Sequence, residues 1–147
     1  MWRESRAIIT MVCVCVGIYL GALSSALFAQ TKPNASGWQL GPDADTLKNP
    51  LTVDDKVLAT GKSVFKDKCQ RCHGPAGKGD GEAADPDAMD DMDLTVAKRA
   101  ERNSDGVVFY KVMNGRRKPK MPVFKEELSK DQVWSVVAYV QTLRSTK

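Results

Sequence analysis

Five consecutive residues, Cys69-Gln70-Arg71-Cys72-His73, combine residue types and spacing that can do chemistry. Two thiols three positions apart at the end of a helix can each add to one of the two vinyl groups of a haem. The residue that follows can then give an imidazole nitrogen to the iron. This C-x-x-C-H spacing is the attachment signature of a c-type haem. It predicts one covalently bound haem c, with Cys69 and Cys72 as thioether donors and His73 as a ligand of the iron.

Two other kinds of site use a C-x-x-C pair, and the sequence argues against both. A thioredoxin-like redox pair requires a βαβ context, and none surrounds Cys69. A zinc site normally needs four ligands, whereas outside the N-terminal leader the chain offers only Cys69, Cys72 and His73. Because His73 is the one histidine in the chain, a second C-x-x-C-H haem and bis-histidine ligation are excluded as well.

A six-coordinate iron needs a second axial ligand, and a methionine thioether is the remaining soft donor. Four methionines follow the leader: Met89, Met92, Met113 and Met121. Met89 and Met92 come soon after the haem motif in an acidic loop, and Met113 fits the apolar face of a helix, where methionine is more often a core residue. Met121 lies on a loop that Pro122 stiffens, far enough along the chain to reach the opposite face of a haem. We predict Met121 as the distal ligand.

The N-terminus differs in composition from the rest of the chain. The 147 residues are enough for one domain, and 42% hydrophobic and 27% charged residues are typical of a globular protein. Arg3 and Arg6, however, precede an uncharged apolar run from 7 to 30. This pattern predicts export, with residues 1–29 as a signal peptide or a retained N-terminal membrane anchor. We favour cleavage near Ala29 and expect a periplasmic protein of a bacterium; with the leader retained, the protein would be attached to the inner membrane.

The remaining chain is predicted to hold an extension and one helical domain. Residues 30–50 contain proline and glycine without a sustained apolar period, which predicts a linker or a loosely packed N-terminal extension. In the domain, at 51–147, we expect three main helices. The first is predicted to start after its N-cap Thr52 and to run up to Cys69. The second has Ser104 as its N-cap and ends at Asn114, before Gly115. The third starts at a capping box formed by Ser129 and Gln132 and ends at about Leu143.

Charge is segregated within the domain. Seven acids and no bases lie between 80 and 93, and six bases and no acids lie between 111 and 125. The acidic stretch lacks the spacing of a calcium-binding EF-hand loop, so we interpret it as a solvated surface. The segment 116–122 is predicted to be an extended, strongly basic loop. The bases around Met121 are predicted to attract an acidic partner protein. They are Lys111, Arg116, Arg117, Lys118, Lys120 and Lys125. The glycines between 74 and 81 form no Walker pattern, and we expect them to let the backbone pass close to the porphyrin.

Over about residues 49–144 the chain resembles the class I c-type cytochromes, in particular the small bacterial monohaem type. The shared motifs, in chain order, are Gly61-x-x-x-Phe65, Cys69-x-x-Cys72-His73-Gly74, Gly77-x-Gly79-x-Gly81, Asp93-Leu94-Thr95, Asn114-Gly115, Met121-Pro122-x-Phe124 and Val137-Ala138-Tyr139-Val140. The resemblance implies an all-α, cytochrome c-like fold of orthogonal helices wrapped around one covalently bound haem. It also implies that the N- and C-terminal helices cross where Gly61 and Phe65 meet Tyr139. It gives His73 and Met121 the roles of proximal and distal iron ligands.

The chain departs from this family in one loop. Glu82 stands where relatives often have a proline just after the third loop glycine. The carbonyl that orients His73 is therefore left open, with Pro75 and Pro86 as candidates. Arg116, Arg117 and Trp134 are candidates for contacts with the haem propionates.

These inferences predict an electron-transfer protein, not an enzyme: a one-electron carrier in a respiratory chain. An iron with ligands on both faces has no vacant position for a substrate, so only an electron passes, to or from a protein such as an oxidase, dehydrogenase or reductase. Nothing predicts a nucleic-acid partner. Two alternatives stay open. The chain can be the cytochrome subunit of a periplasmic dehydrogenase or oxidase complex, or a haem peroxidase or small-ligand sensor in which Met121 dissociates from the iron.

Overall fold

The computed structural model of the protein describes residues 36–144. The predicted signal peptide or membrane anchor at 1–29 lies outside the described residues. Within them no helix is long and apolar enough to cross a membrane. The described part contains no strand, and two isolated β-bridges join Lys78 to Asp93 and Arg116 to Met121. The prediction of an all-α fold is confirmed.

The helical elements run from Asp55 to Leu143. We number the α-helices α1 to α6. In chain order the elements are α1 (Asp55–Val64), a π-helical turn (Phe65–Cys69), α2 (Gln70–His73), a 3₁₀ turn (Pro86–Ala88), α3 (Met89–Met92), α4 (Ala97–Ala100), α5 (Asp105–Asn114) and α6 (Lys130–Leu143).

The ends of the long helices follow from their capping residues. Ser104 accepts from the Val107 N–H at the start of α5, and Gly115 ends that helix with a φ of 61°. Ser129 and Gln132 form the predicted capping box of α6. The predicted start of α1 at Thr52 is wrong, because Asp54 is the N-cap and its carboxylate accepts from Val57 N at 2.8 Å. Aspartate caps a helix at least as well as threonine, and Asp54 has the extended backbone that an N-cap requires.

The core lies mainly between α1, with its π-helical extension, and α6. Phe65 is 2% exposed, and its ring centroid lies 5.4 Å from that of Tyr139. A Cβ atom on Gly61 would collide with the carbonyl of Ser135 and the side chain of Tyr139, so the two helix backbones approach closely at this glycine. The predicted crossing of the N- and C-terminal helices is confirmed. On the other side of α6, Trp134 stacks on Phe109 of α5 with 4.2 Å between ring centroids.

We expect Gly61→Ala to lower the free energy of unfolding by about 3 kcal/mol, the upper end of the usual cost of overpacking, because the clash is with backbone that cannot rotate away. Chemical denaturation of the haem-loaded protein measures this. Ser63→Ala, at an exposed position of the same helix, is the matched control and should unfold like the wild type. Equal stability of Gly61→Ala and the wild type would contradict the close crossing.

Residues 36–50 are packed along α5, although the sequence predicted a linker or a loosely packed extension. Ala44 is 4% exposed, and Leu47 packs against the core. Tyr110 donates to the Asp43 carboxylate at 2.7 Å. Asn49 Nδ2 donates to the Trp134 carbonyl at 3.0 Å. The contacts depend on isolated side chains rather than on a periodic pattern, which is why hydrophobic periodicity does not reveal them.

Candidate haem-attachment site

The C-x-x-C-H motif lies at the end of one continuous helical stretch. The α-helical geometry of α1 changes at Phe65 to a π-helical turn, and Cys69 is its last residue. Helix α2 then carries Cys72 and His73, and Gly74, with a φ of 74°, ends it. The sequence predicted a helix up to Cys69 and gave no sign of the π-helical turn. Such turns occur frequently at functional sites, since the extra residue re-aims the side chains that follow.

The His73 imidazole is oriented by the backbone of a distant segment. Its Nδ1 atom lies 2.7 Å from the carbonyl oxygen of Met92. A carbonyl can only accept, so Nδ1 carries the proton and Nε2 keeps the lone pair that a metal requires. Burial lowers the pKa of His73, and this outweighs the hydrogen bond to Met92, which favours the protonated form. The ring is therefore held in the neutral state in which histidine binds metals.

The acceptor for His73 is neither of the two residues that the sequence suggested. The sequence suggested the carbonyl of Pro75 or of Pro86, whereas the carbonyl of Met92 accepts the hydrogen bond. Two contacts fix this segment: Leu94 N donates to the Gly77 carbonyl at 2.7 Å, and the Asp93 carboxylate accepts from Thr95 N at 2.8 Å. The motif Asp93-Leu94-Thr95 was recognised in the sequence as a family feature. The motif predicts a turn, but it does not predict that the preceding carbonyl, that of Met92, accepts from His73.

Both cysteines of the motif are unpaired, as covalent attachment of a haem requires. Neither Cys69 nor Cys72 forms a disulfide. Burial raises the pKa of Cys69 to about 12. Burial therefore favours the neutral thiol over the thiolate, which is the reactive form in disulfide exchange and in metal binding. In addition, no group of three or more metal-ligating side chains (His, Cys, Asp, Glu) occurs within residues 36–144.

The glycine-rich loop folds back onto the end of the motif helix. Gly79 N donates to the His73 carbonyl at 2.8 Å, and Gly81 N donates to the Cys72 carbonyl at 3.3 Å. These bonds satisfy carbonyls that the helix end leaves without partners. A Cβ atom on Gly81 would collide with the Arg71 carbonyl. The glycines thus allow close approach to the motif itself, and their contact with a porphyrin stays a prediction.

The four methionines occupy different surroundings. Met92 is 8% exposed and Met89 is 46% exposed, and both belong to α3, in which the Met92 carbonyl accepts from His73. Met113 and Met121 each pack against the core cluster that Cys69 also contacts. Met121 as the distal ligand stays a prediction.

The Met121 loop is a closed turn, so the prediction of an extended loop is wrong. Arg116 N donates to the Met121 carbonyl at 2.9 Å, and Met121 N donates to the Arg116 carbonyl at 2.8 Å. Phe124 N then donates to the Val112 carbonyl at 3.2 Å, which ties the chain after the turn to α5. Because Gly115 permits a positive φ, the backbone can reverse directly after α5 and form this turn.

The six bases around this turn do not form one exposed group. Arg117, Lys118, Lys120 and Lys125 are exposed. The Lys111 ammonium, in contrast, lies 4.8 Å and the Arg116 guanidinium 4.3 Å from the centre of the Trp38 ring. Burial, together with the charges of Arg116 and Arg144, lowers the pKa of Lys111 to about 8. The positive surface near Met121 is therefore smaller than the sequence predicted.

The candidates for propionate contacts also differ in accessibility. Trp134 is 5% exposed and lies in the core against Phe109. Arg116 forms an ion pair with Asp91 at 3.5 Å. Arg117 is exposed. Propionate contacts by any of the three stay a prediction.

The residues of the site fit a covalently attached haem. Two unpaired cysteines flank one turn of helix, and the adjacent imidazole presents Nε2 as a lone-pair donor. A partly buried thioether, that of Met121, contacts the same apolar core as Cys69. These are the soft donors that haem attachment and iron ligation require.

Comparison with known proteins agrees with this chemistry. The cytochrome c family model matches residues 58–144. A solved chain of the reducing HAO-like protein complex Kustc0457/Kustc0458 from Kuenenia stuttgartiensis is similar, with 30% sequence identity and a TM-score of 0.52. The match covers 67% of this chain and 48% of the solved chain, so this chain spans about half the length of that protein. No curated protein matches the chain. The matched region contains the whole haem-attachment motif, and the chain belongs to the cytochrome c family.

Proposed function

We propose that this cytochrome c is an exported one-electron carrier of a respiratory chain, with one haem c whose iron is held by His73 and Met121. Electron carriage is the general role of the family. The observation that carries the proposal is the His73 imidazole, which is buried, held as the Nδ1–H tautomer by Met92, and next to two cysteines without disulfides. When bound, haem c supplies an iron that changes between ferric and ferrous states.

The protein residues have distinct tasks in this proposal. Cys69 and Cys72 attach the cofactor, and the hydrogen bond from His73 to Met92 fixes the imidazole plane, so that the proximal ligand needs little rearrangement between oxidation states. Met121 would hold the iron together with His73 and would keep water and substrates from the metal. Thioether ligation beside an apolar core favours the ferrous state and raises the reduction potential.

A ferric optical spectrum tests the ligation directly. A methionine–iron charge-transfer band near the red end of the visible range is expected, together with a low-spin spectrum. A high-spin ferric spectrum that responds to peroxide or to small neutral ligands would instead support the peroxidase or sensor alternative.

The alternative of a subunit in a larger redox complex has an observation in its favour. The similar solved chain belongs to a protein complex, and about half of that chain has no counterpart here. In this case the chemistry of the site is the same and only the partner changes. Affinity purification from solubilised membranes discriminates the two forms, because a subunit co-purifies in fixed stoichiometry with a second redox protein and a free carrier does not.

Export is proposed on the basis of Arg3, Arg6 and the apolar run that follows them. We expect mass spectrometry of protein from the native soluble and membrane fractions to find either a mature N-terminus near Gln30 or an intact leader confined to membranes. An intact Met1 in a soluble cytoplasmic fraction would contradict both forms of the export proposal.

The exposed bases near Met121 are proposed to attract an acidic redox partner. We expect the second-order rate of electron transfer to fall as salt rises, because exposed charges are screened over about 8–10 Å near physiological ionic strength. Changing Lys118 and Lys120 together to Glu should lower the rate at low salt by roughly three- to tenfold and flatten the salt dependence, while the spectrum stays unchanged.

The matched control changes Lys56 and Lys62 of α1 to Glu. Both are exposed, and the double change alters the net charge by the same amount. Stopped-flow measurement of electron transfer to the physiological acceptor distinguishes an effect of the charges at the Met121 turn from an effect of net charge. If the α1 control slows transfer as much as the turn variant does, the turn is not the docking face.

A further inference from the structure

Arg116 connects the two segments that the proposed axial ligands depend on. Its backbone pairs with Met121 through hydrogen bonds of 2.9 and 2.8 Å. Its guanidinium Nη2 lies 3.5 Å from Oδ2 of Asp91 in α3. The next residue in α3 is Met92, whose carbonyl accepts from His73 at 2.7 Å. One residue thus links the turn that carries Met121 to the short helix that orients His73.

The Arg116 side chain is held on several sides. Its guanidinium carbon lies 4.3 Å from the centre of the Trp38 ring. Its Nε donates to the Pro119 carbonyl at 3.2 Å, and Nη1 donates to the Ser36 carbonyl at 3.4 Å. The side chain is 12% exposed, against 58% for its partner Asp91. A planar guanidinium can stack on an indole and donate in its own plane at the same time, and a lysine ammonium cannot do both.

The Met121 turn has few other anchors. Residues Arg117, Lys118 and Lys120 between its two bridged ends are exposed, and so is Pro122. Without the contacts of Arg116, the turn would be attached through its bridge, through the packing of Met121 against the core, and through Phe124, whose N–H donates to the Val112 carbonyl. A ligand on such a turn competes with external ligands according to how often the turn moves away from the site.

We propose that Arg116, seated on Trp38 and paired with Asp91, is a positioning residue that holds the Met121 turn against α3 and thereby keeps the Met121 sulfur at the iron. This inference rests on the proposed ligation by His73 and Met121. Residues 36–41, which form no regular helix, supply Trp38 and the Ser36 carbonyl and so take part in setting the accessibility of the metal.

The affinity of the haem-loaded ferric protein for imidazole tests this role. We expect Arg116→Ala, Trp38→Ala and Asp91→Asn each to bind imidazole roughly five- to tenfold more tightly than the wild type, with a weaker red-end methionine band, because each removes a charge-assisted or stacking contact. The double change of Arg116→Ala with Asp91→Asn should increase affinity by less than the product of the two single effects, since both remove the same pair.

Exposed residues of the same types provide matched controls. Arg102→Ala and Asp90→Asn remove the same charges from exposed positions, and imidazole affinity should stay at the wild-type level. Asp91→Asn leaves the core untouched, so it tests the inference even where Arg116→Ala does not fold.

The outcomes separate the inference from its premise. If Met121→Ala does not increase imidazole affinity, the proposed ligation fails and the positioning role falls with it. If Met121→Ala opens the site but the Arg116, Trp38 and Asp91 variants bind imidazole like the wild type, only the positioning role is overturned. A lower unfolding temperature of these variants with unchanged imidazole affinity would assign the contacts to stability alone.

Discussion

Met121→Ala is expected to give protein in which haem is still covalently attached but the ferric iron is high-spin and open to external ligands. The change removes the thioether and leaves the predicted attachment residues Cys69 and Cys72 intact. The red-end methionine band should disappear, and the reduction potential should fall because the soft sulfur donor that favours ferrous iron is lost. Optical spectroscopy, imidazole titration and a potentiometric titration measure the three effects.

Met113→Ala is the matched control for this variant. Met113 and Met121 have the same side chain and both pack against the core. Truncation at either position should lower the free energy of unfolding by about 2 kcal/mol, the low end for methionine to alanine, since both side chains are only partly buried. Only Met121→Ala should change the spin state. If Met121→Ala keeps the wild-type spectrum and Met113→Ala does not, Met113 is the ligand.

Replacement of both motif cysteines by alanine is expected to abolish covalent haem and to leave the chain largely unfolded. The domain is small, and a small domain buries too little surface to be stable without additional support. A covalently bound cofactor that packs only in the folded state supplies such support. Acid–acetone extraction followed by haem staining measures attachment, and far-ultraviolet circular dichroism measures the remaining helix.

Two comparisons make this result specific. The change of Cys13 and Cys15 to alanine, in the leader, should leave haem attachment unaffected. Cys72→Ala alone should still allow one thioether to Cys69. Haem that resists extraction in the Cys69 and Cys72 double variant would contradict the assignment of these two residues as the attachment sites.

Some features of the site could be predicted because they depend on local spacing. The positions of Cys69, Cys72 and His73 follow from consecutive residues, and the helix ends at Ser104, Gly115 and Ser129 follow from capping chemistry within one turn. The crossing at Gly61 was predicted from the resemblance to the family, and a glycine at such a crossing has a direct physical reason, since any side chain would meet the Ser135 backbone. Each of these features depends on residues close together in the chain or on the size of one side chain.

Other features could not be predicted because they are contacts between residues far apart in the chain. The partner of His73 is the backbone carbonyl of Met92. Because every residue has a carbonyl, the Met92 side chain gives no signal of this contact.

The π-helical turn from Phe65 to Cys69 is a local feature, but no residue type marks it in the sequence.

The sequence by itself determined the family, and it predicted the attachment residues and the proximal histidine, because covalent chemistry fixes residue types at short spacing. Tertiary structure decided what surrounds them. It placed Trp38 and Asp91 on Arg116, withdrew Lys111 and Arg116 from the exposed basic group, and closed the Met121 turn. Each of these depends on burial and on partners more than 20 residues away or on backbone geometry. Charge counted along a sequence cannot distinguish a solvated arginine from one that is stacked and paired.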